Sequence, residues 1–210
     1  MVEKMDGLFD VNRLRRLLAA FVERWHGGII VHDEREPFWR LVAQLQAHNF
    51  ELWHEEDKAR DSAAHAQEIA RVKRSIDRFN QERCDTIEAL DELLLRQLAE
   101  GGVQSAADSP LHSETLGSII DRLTILALRI FHMKEQTLRE DADEAHREKC
   151  RERLKVLAEQ EQDLSNCLQA LLEELCSGRT RFKIYRRMKM YNDPTLNPVL
   201  YGRSSSGQKT

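Results

Sequence analysis

The chain has 210 residues, 41% apolar and 32% charged, with 4 prolines, 9 glycines and a formal net charge of −4. That length suits one domain with an ample core, and so few turn-forming residues exclude an all-β protein. No apolar run approaches the roughly 18–20 residues of a membrane span, and none follows the opening residues as a signal peptide would, so the expected setting is the cytoplasm.

A first helix is expected over residues 10–25, capped by Asp10, with Leu14, Leu17, Leu18, Phe21, Val22 and Trp25 on one face. Gly27-Gly28 stops it, and Ile29-Ile30-Val31 reads as a short strand or a packed loop. Pro37 suits the first turn of a second helix reaching about Arg60. Its stripe starts apolar, at Phe38, Leu41, Val42 and Leu45, and turns polar through Asn49 to Glu56. The third helix, roughly 65–99, carries Ile69, Val72, Ile76, Phe79, Arg83, Ile87, Leu90 and Leu94 at heptad-like spacing.

Gly101-Gly102 and Pro110 mark the one long internal loop. Ser113 is the expected cap of a fourth helix, which is apolar on every side from Ile119 to Phe131 and therefore central. The fifth, about 143–176, alternates Leu154, Leu157, Glu161, Leu164, Leu168, Leu171 and Leu175 at three and four spacing, a seam that calls for the fourth helix as antiparallel partner. The four cysteines all fall inside these helical patterns without a C-x-x-C pair, and read as small buried hydrophobes.

The expected architecture is therefore an all-α antiparallel bundle of about five helices over residues 1–178, followed by a basic, aromatic tail over 179–210. That tail holds eight Lys/Arg and one acid, a charge of +7 that leaves −11 on the body. Such a tail can dock on its own bundle, on a neighbouring copy in a homo-oligomer, or on a phosphate-bearing partner. Nucleic acid is disfavoured because the acidic body would repel its backbone.

The chemistry-bearing residues cluster on the second to fourth helices. His54, Asp57 and Arg60 follow one another at one-turn intervals, where side chains are neighbours. Asp77, Asn80, Cys84, Glu88 and Asp91 advance by three, four, four and three along one stripe that overlaps the apolar face. Buried carboxylates need compensation. It can come from Arg60, Arg83 and Arg122 in ion pairs, or from a divalent metal; oxygen-only ligands suit Mg²⁺ or Mn²⁺. On the metal reading, Asp57, Asp77, Glu88 and Asp91 are the ligands and His54 with Asp57 the catalytic pair, His54 moving the proton. Arg60, Asn80, Arg83 and Arg122 then contact a phosphorylated small molecule. Asp121 lies just ahead of the buried segment; His132, three turns further on, is too distant to share a ligand with it, and His26 reads as a surface or packing residue.

Longer stretches carry a resemblance. Asn49-Phe50-Glu51-Leu52-Trp53-His54-Glu55-Glu56-Asp57-Lys58-Ala59-Arg60, Ile76-Asp77 with Asn80 and Arg83, Ser113-Glu114-Thr115-Leu116-Gly117-Ser118-Ile119-Ile120-Asp121-Arg122-Leu123 and Lys189-Met190-Tyr191-Asn192-Asp193-Pro194 resemble a bacterial family, the domain of unknown function 4254. Leu116 stands where the family pattern has proline. The resemblance spans most of the chain but implies no reaction, because the family has no established activity.

Shorter likenesses are weaker. Glu88-Ala89-Leu90-Asp91 is similar to the E-x-x-D half of MazG-type nucleotide pyrophosphohydrolases, whose E-E-x-x-E half is missing here. Glu51 with His54 is a single di-iron E-x-x-H without its second copy, and residues 83–98 are similar to a helical chorismate mutase, with an acidic row where that enzyme's is basic. Two functions follow as expectations. The first is a Mg²⁺- or Mn²⁺-dependent hydrolase or transferase acting on a phosphorylated small molecule such as a nucleotide or sugar nucleotide. The second is a non-catalytic interaction module whose polar row is a buried ion-pair network.

Overall fold

A computed structural model describes residues 8–28, 34–186 and 195–196. Within them the fold is all-α, with five helices: α1 (Val11–His26), α2 (Pro37–Ala59), α3 (Ala66–Glu100), α4 (Leu116–Thr137) and α5 (Glu144–Cys176). Ile29-Ile30-Val31 and most of the basic tail lie outside the described residues. No helix among the described residues is long and apolar enough to cross a membrane.

The helix ends follow local chemistry. Asp10 caps α1 by accepting from the Asn12 amide, and Asp143 caps α5 by accepting from that of His146. α4 starts two residues later than its Ser113 reading. Thr115 is the cap, accepting from the Ser118 amide while the Ser118 hydroxyl accepts from the Thr115 amide, a reciprocal box that satisfies two otherwise orphaned donors.

Short connections over residues 60–65 and 138–143 fold α2 back on α3 and α4 back on α5, and these are the two most extensive helix pairs. α1 lies mainly on α4, which touches all four other helices. That position explains why α4 is apolar all round: Leu116, Ile119, Ile120, Leu123 and Leu128 are buried on different sides of it. A main core gathers Leu14, Phe21, Trp25, Leu45, Leu90, Ile120 and Leu168. A small satellite of Leu52, Val72 and Ile76 holds the far ends of α2 and α3 together. Cys84 and Cys150 are buried as expected of small hydrophobes, whereas Cys167 is exposed and Cys176 half-buried.

After α5 the chain runs alongside the 105–112 loop. Leu111 and Arg181 form a parallel bridge, the Arg181 amide donating to Pro110 O and that of His112 to Arg181 O. Phe182 is buried and Arg186 reaches Glu92.

Candidate functional site

Where the α2 stripe turns polar it meets α3 and α4, and a cleft of about 290 Å³ opens between the three helices. Asn49, Trp53, Glu56 and Asp57 line it from α2 and Arg60 from the cap at its end, Asn80 and Arg83 from α3, and Ile125 and Arg129 from α4. Four of the residues singled out in the sequence, Asp57, Arg60, Asn80 and Arg83, thus share one wall-to-wall space.

The cleft floor is fixed by a buried network. Arg83 forks onto Asp121, with Nε donating to Oδ1 at 2.7 Å and an Nη completing the pair on Oδ2. The Asn49 amide donates to Asp121 Oδ1 at 2.9 Å and to Thr124 Oγ1 at 2.7 Å, and the Thr124 hydroxyl donates to Asp121 O at 2.6 Å. The hydrogen bonds to Asp121 hold the Arg83 guanidinium above its ordinary range. Asp121 is therefore spoken for, and Arg83 is a rigid, oriented donor at the edge of the cleft.

The rim is looser. Arg60 spans Glu56 and Asp57 at 3.3 and 3.2 Å on an exposed surface, where such pairs hold weakly and exchange partners readily. Arg129 is exposed and has no ion-pair partner among the described residues, and the Asn80 amide is uncommitted there too.

The acidic row does not converge. Asp77 and Asp91 are fourteen residues apart on one helix, roughly 21 Å at the usual rise per residue, so no single ion can touch both. Asp77 is exposed and paired with Lys73 at 2.7 Å. Asp91 is buried at the other end, where its carboxylate accepts from the Gly117 amide at 2.7 Å and from the Thr115 side chain. Gly117 is what lets it in: a Cβ there would lie 2.8 Å from Asp91 Oδ1 and 2.8 Å from the Ile87 carbonyl. The α4 N-terminus, expected to approach an anion, does so, and the anion is the chain's own Asp91. Glu88 lies beside Asp91 in a separate hollow of about 190 Å³ together with Lys183 and Tyr185. Of the four carboxylates expected to share a metal, only Asp57 reaches the cleft. Arg122 is also elsewhere, bonded to Glu114 and lining a hollow between α4 and α5.

Burial, opposed by the hydrogen bonds from Thr115 and Gly117, pushes the Asp91 carboxyl up to about 6 from 3.8. A raised folded-state pKa means that the folded chain binds the extra proton, so this group's contribution is full below pH 4 and is lost as pH rises through 6. Wild-type protein should therefore lose about 3 kcal/mol relative to Asp91→Asn between these two values, an order-of-magnitude figure from the size of the shift. Chemical denaturation of both proteins at several pH values checks it, and parallel curves would contradict it.

His54 is not beside Asp57 in the cleft. Its ring packs with those of His26 and His132, with centroids 5.3 and 6.1 Å away. Neither partner was legible in the sequence, because each comes from a different helix and no intrahelical spacing relates them.

No curated protein and no solved structure matches the chain. The model of one family does, a family described as a protein of unknown function (DUF4254), over residues 39–184. That match takes in α3, α4, α5 and all of α2 but its first two residues, and hence every residue of the cleft. The chain belongs to the DUF4254 family.

Proposed function

We propose that the cleft between α2, α3 and α4 binds a small phosphorylated molecule. The observation that carries this is the meeting of three guanidiniums, from Arg60, Arg83 and Arg129, on one space of ligand size. Guanidinium forks match phosphate oxygens in pairs. The volume sits at the small end of the roughly 300–1,000 Å³ usual for ligand sites, which favours a phosphate or pyrophosphate with a compact organic group. Trp53 supplies a flat wall for that group and Asn80 an amide.

Glu56 and Asp57 release Arg60 when phosphate arrives and are placed to help hold a Mg²⁺ or Mn²⁺ that the ligand brings. One or two carboxylates plus substrate phosphates is a common arrangement for Mg²⁺. The expected proton-transfer group, His54, is not among the cleft residues.

Calorimetric titration of the full chain with inorganic pyrophosphate and with ADP, with and without Mg²⁺, tests the reading. Saturable binding is expected, at least about tenfold weaker in Arg129→Ala, the loss of one charge-assisted contact. Absence of binding at millimolar ligand and low salt, or affinity indifferent to Arg129→Ala and Arg60→Ala, would refute it. The second reading, a non-catalytic module, is favoured by the closed Arg83–Asp121–Asn49–Thr124 network, which satisfies its own charges. It predicts no ligand response at all.

A further inference from the structure

Next to the cleft, on its α1 side, three histidines from three helices face one another. His26 ends α1, His54 is on α2 and His132 on α4; one ring nitrogen from each lies within 4.8 Å of the other two. Among the described residues this is the group of His, Cys, Asp or Glu side chains gathered closely enough to hold a metal ion.

The hydrogen bonds decide which nitrogens face inward. His26 Nδ1 is 2.8 Å from Val22 O and His54 Nδ1 is 2.8 Å from Phe50 O. A carbonyl only accepts, so both Nδ1 atoms carry the proton. His132 Nδ1 is 2.8 Å from the Glu135 carboxylate, which fixes the same tautomer. Each Nε2 is thereby left with its lone pair. Those of His26 and His132 are buried and make no hydrogen bond. Buried polar atoms without a partner are uncommon and call for a reason.

We infer that His26, His54 and His132 form a three-histidine site for a transition-metal dication, zinc foremost. The ligand set is the argument. Three neutral imidazoles suit Zn²⁺ and its neighbours rather than Mg²⁺ or Mn²⁺. Each ring is already oriented by a backbone carbonyl or a carboxylate on its other nitrogen, the outer-shell arrangement that metal-ligating histidines nearly always have.

The surroundings agree. The His26 ring stacks on Phe131 at 4.1 Å and that of His132 on Trp53 at 4.7 Å, giving the centre an apolar wall. Bonds of about 2.0–2.1 Å require the three nitrogens to close in by an ångström or more, which small ring rotations provide. A tetrahedral ion would keep its fourth position for water or a ligand. Trp53 forms a wall of both places, so the ion sits beside the phosphate cleft; the site stands or falls independently of what the cleft binds.

The full-length protein, stripped by chelator and dialysed against zinc, should retain one equivalent and melt at a higher temperature, with Mg²⁺ unable to compete. His54→Ala and His132→Ala should each weaken binding by more than the roughly 10–100-fold that an outer-shell partner is worth. Glu135→Ala alters only such a partner, on an exposed side chain, and should fall within that range without disturbing the fold. Cys150→Ser, which removes the thiol 3.4 Å from His146 Nε2, should change nothing. Should the histidine variants not fold, cobalt-loaded wild type still decides: its spectrum should lack the charge-transfer band of a thiolate ligand. Failure to retain zinc, retention that survives the histidine variants, or retention abolished by Cys150→Ser would overturn the site.

Discussion

Replacing Arg83 with alanine should destabilise the protein by about 3 kcal/mol, at the lower end of the roughly 3–5 kcal/mol for breaking a buried pair. The loss arises because Asp121 stays behind: its side chain is only 8% exposed, and without the guanidinium its charge has the Asn49 amide and little else. The lower figure applies because Arg83 itself is 26% exposed, so water relieves part of the pair's strength. Removing both charges tells a different story. Arg83→Met with Asp121→Leu should come back close to wild-type stability, since an apolar pair of similar volume commonly replaces a buried ion pair without loss. Urea midpoints of the single and double variants measure the coupling. An Arg83→Ala loss below about 1 kcal/mol would mean that the pair behaves like an ordinary surface bridge.

Gly117→Ala should cost about 2–3 kcal/mol, although alanine is the better helix former by about 1 kcal/mol. The added methyl meets two atoms at 2.8 Å, and neither gives way easily. Asp91 Oδ1 is tied to the Gly117 amide itself, and the Ile87 carbonyl belongs to the backbone of α3. To admit the methyl, α3 and α4 must move apart along a contact that also seats Leu90, Leu116 and Ile120, all fully buried. Trimming the acid as well, in Gly117→Ala with Asp91→Ala, should relieve only part of the clash because the Ile87 carbonyl remains. Scanning calorimetry of the single and double variants reads this directly, and an unchanged melting temperature in Gly117→Ala would contradict the packing described.

Much of the fold was legible because its signals are local. Asp10, Pro37 and Asp143 mark helix starts, and the leucine seam of α5 finds α4 by simple periodicity. The exception at Ser113 is instructive: Thr115 closes its box with Ser118 rather than with the Glu or Gln that marks such a box in a sequence. The cleft was partly legible, since Asp57, Arg60, Asn80 and Arg83 lie on the facing stripes of two helices that pack together.

What failed were inferences about partners across space. Asp91 has the pattern of a metal ligand, but its donors are the Thr115 side chain and the Gly117 backbone amide, and an amide leaves no mark on a sequence. Arg122 follows Asp121 by one residue, and adjacent residues on a helix do not face the same way; Asp121 turns in towards Arg83 while Arg122 turns out to Glu114. His54 was noticed for its neighbours in the chain, and its actual company, His26 and His132, sits 28 residues before and 78 after it.

A crystal structure of the full chain grown with inorganic pyrophosphate would show whether the three-helix cleft receives a phosphorylated molecule. Density for the anion is expected between Arg60, Arg83 and Arg129, with Arg60 swung away from Glu56 and Asp57. A cleft without density at millimolar pyrophosphate, or an anion seated on the basic tail with Arg60 still paired to Asp57, would contradict it.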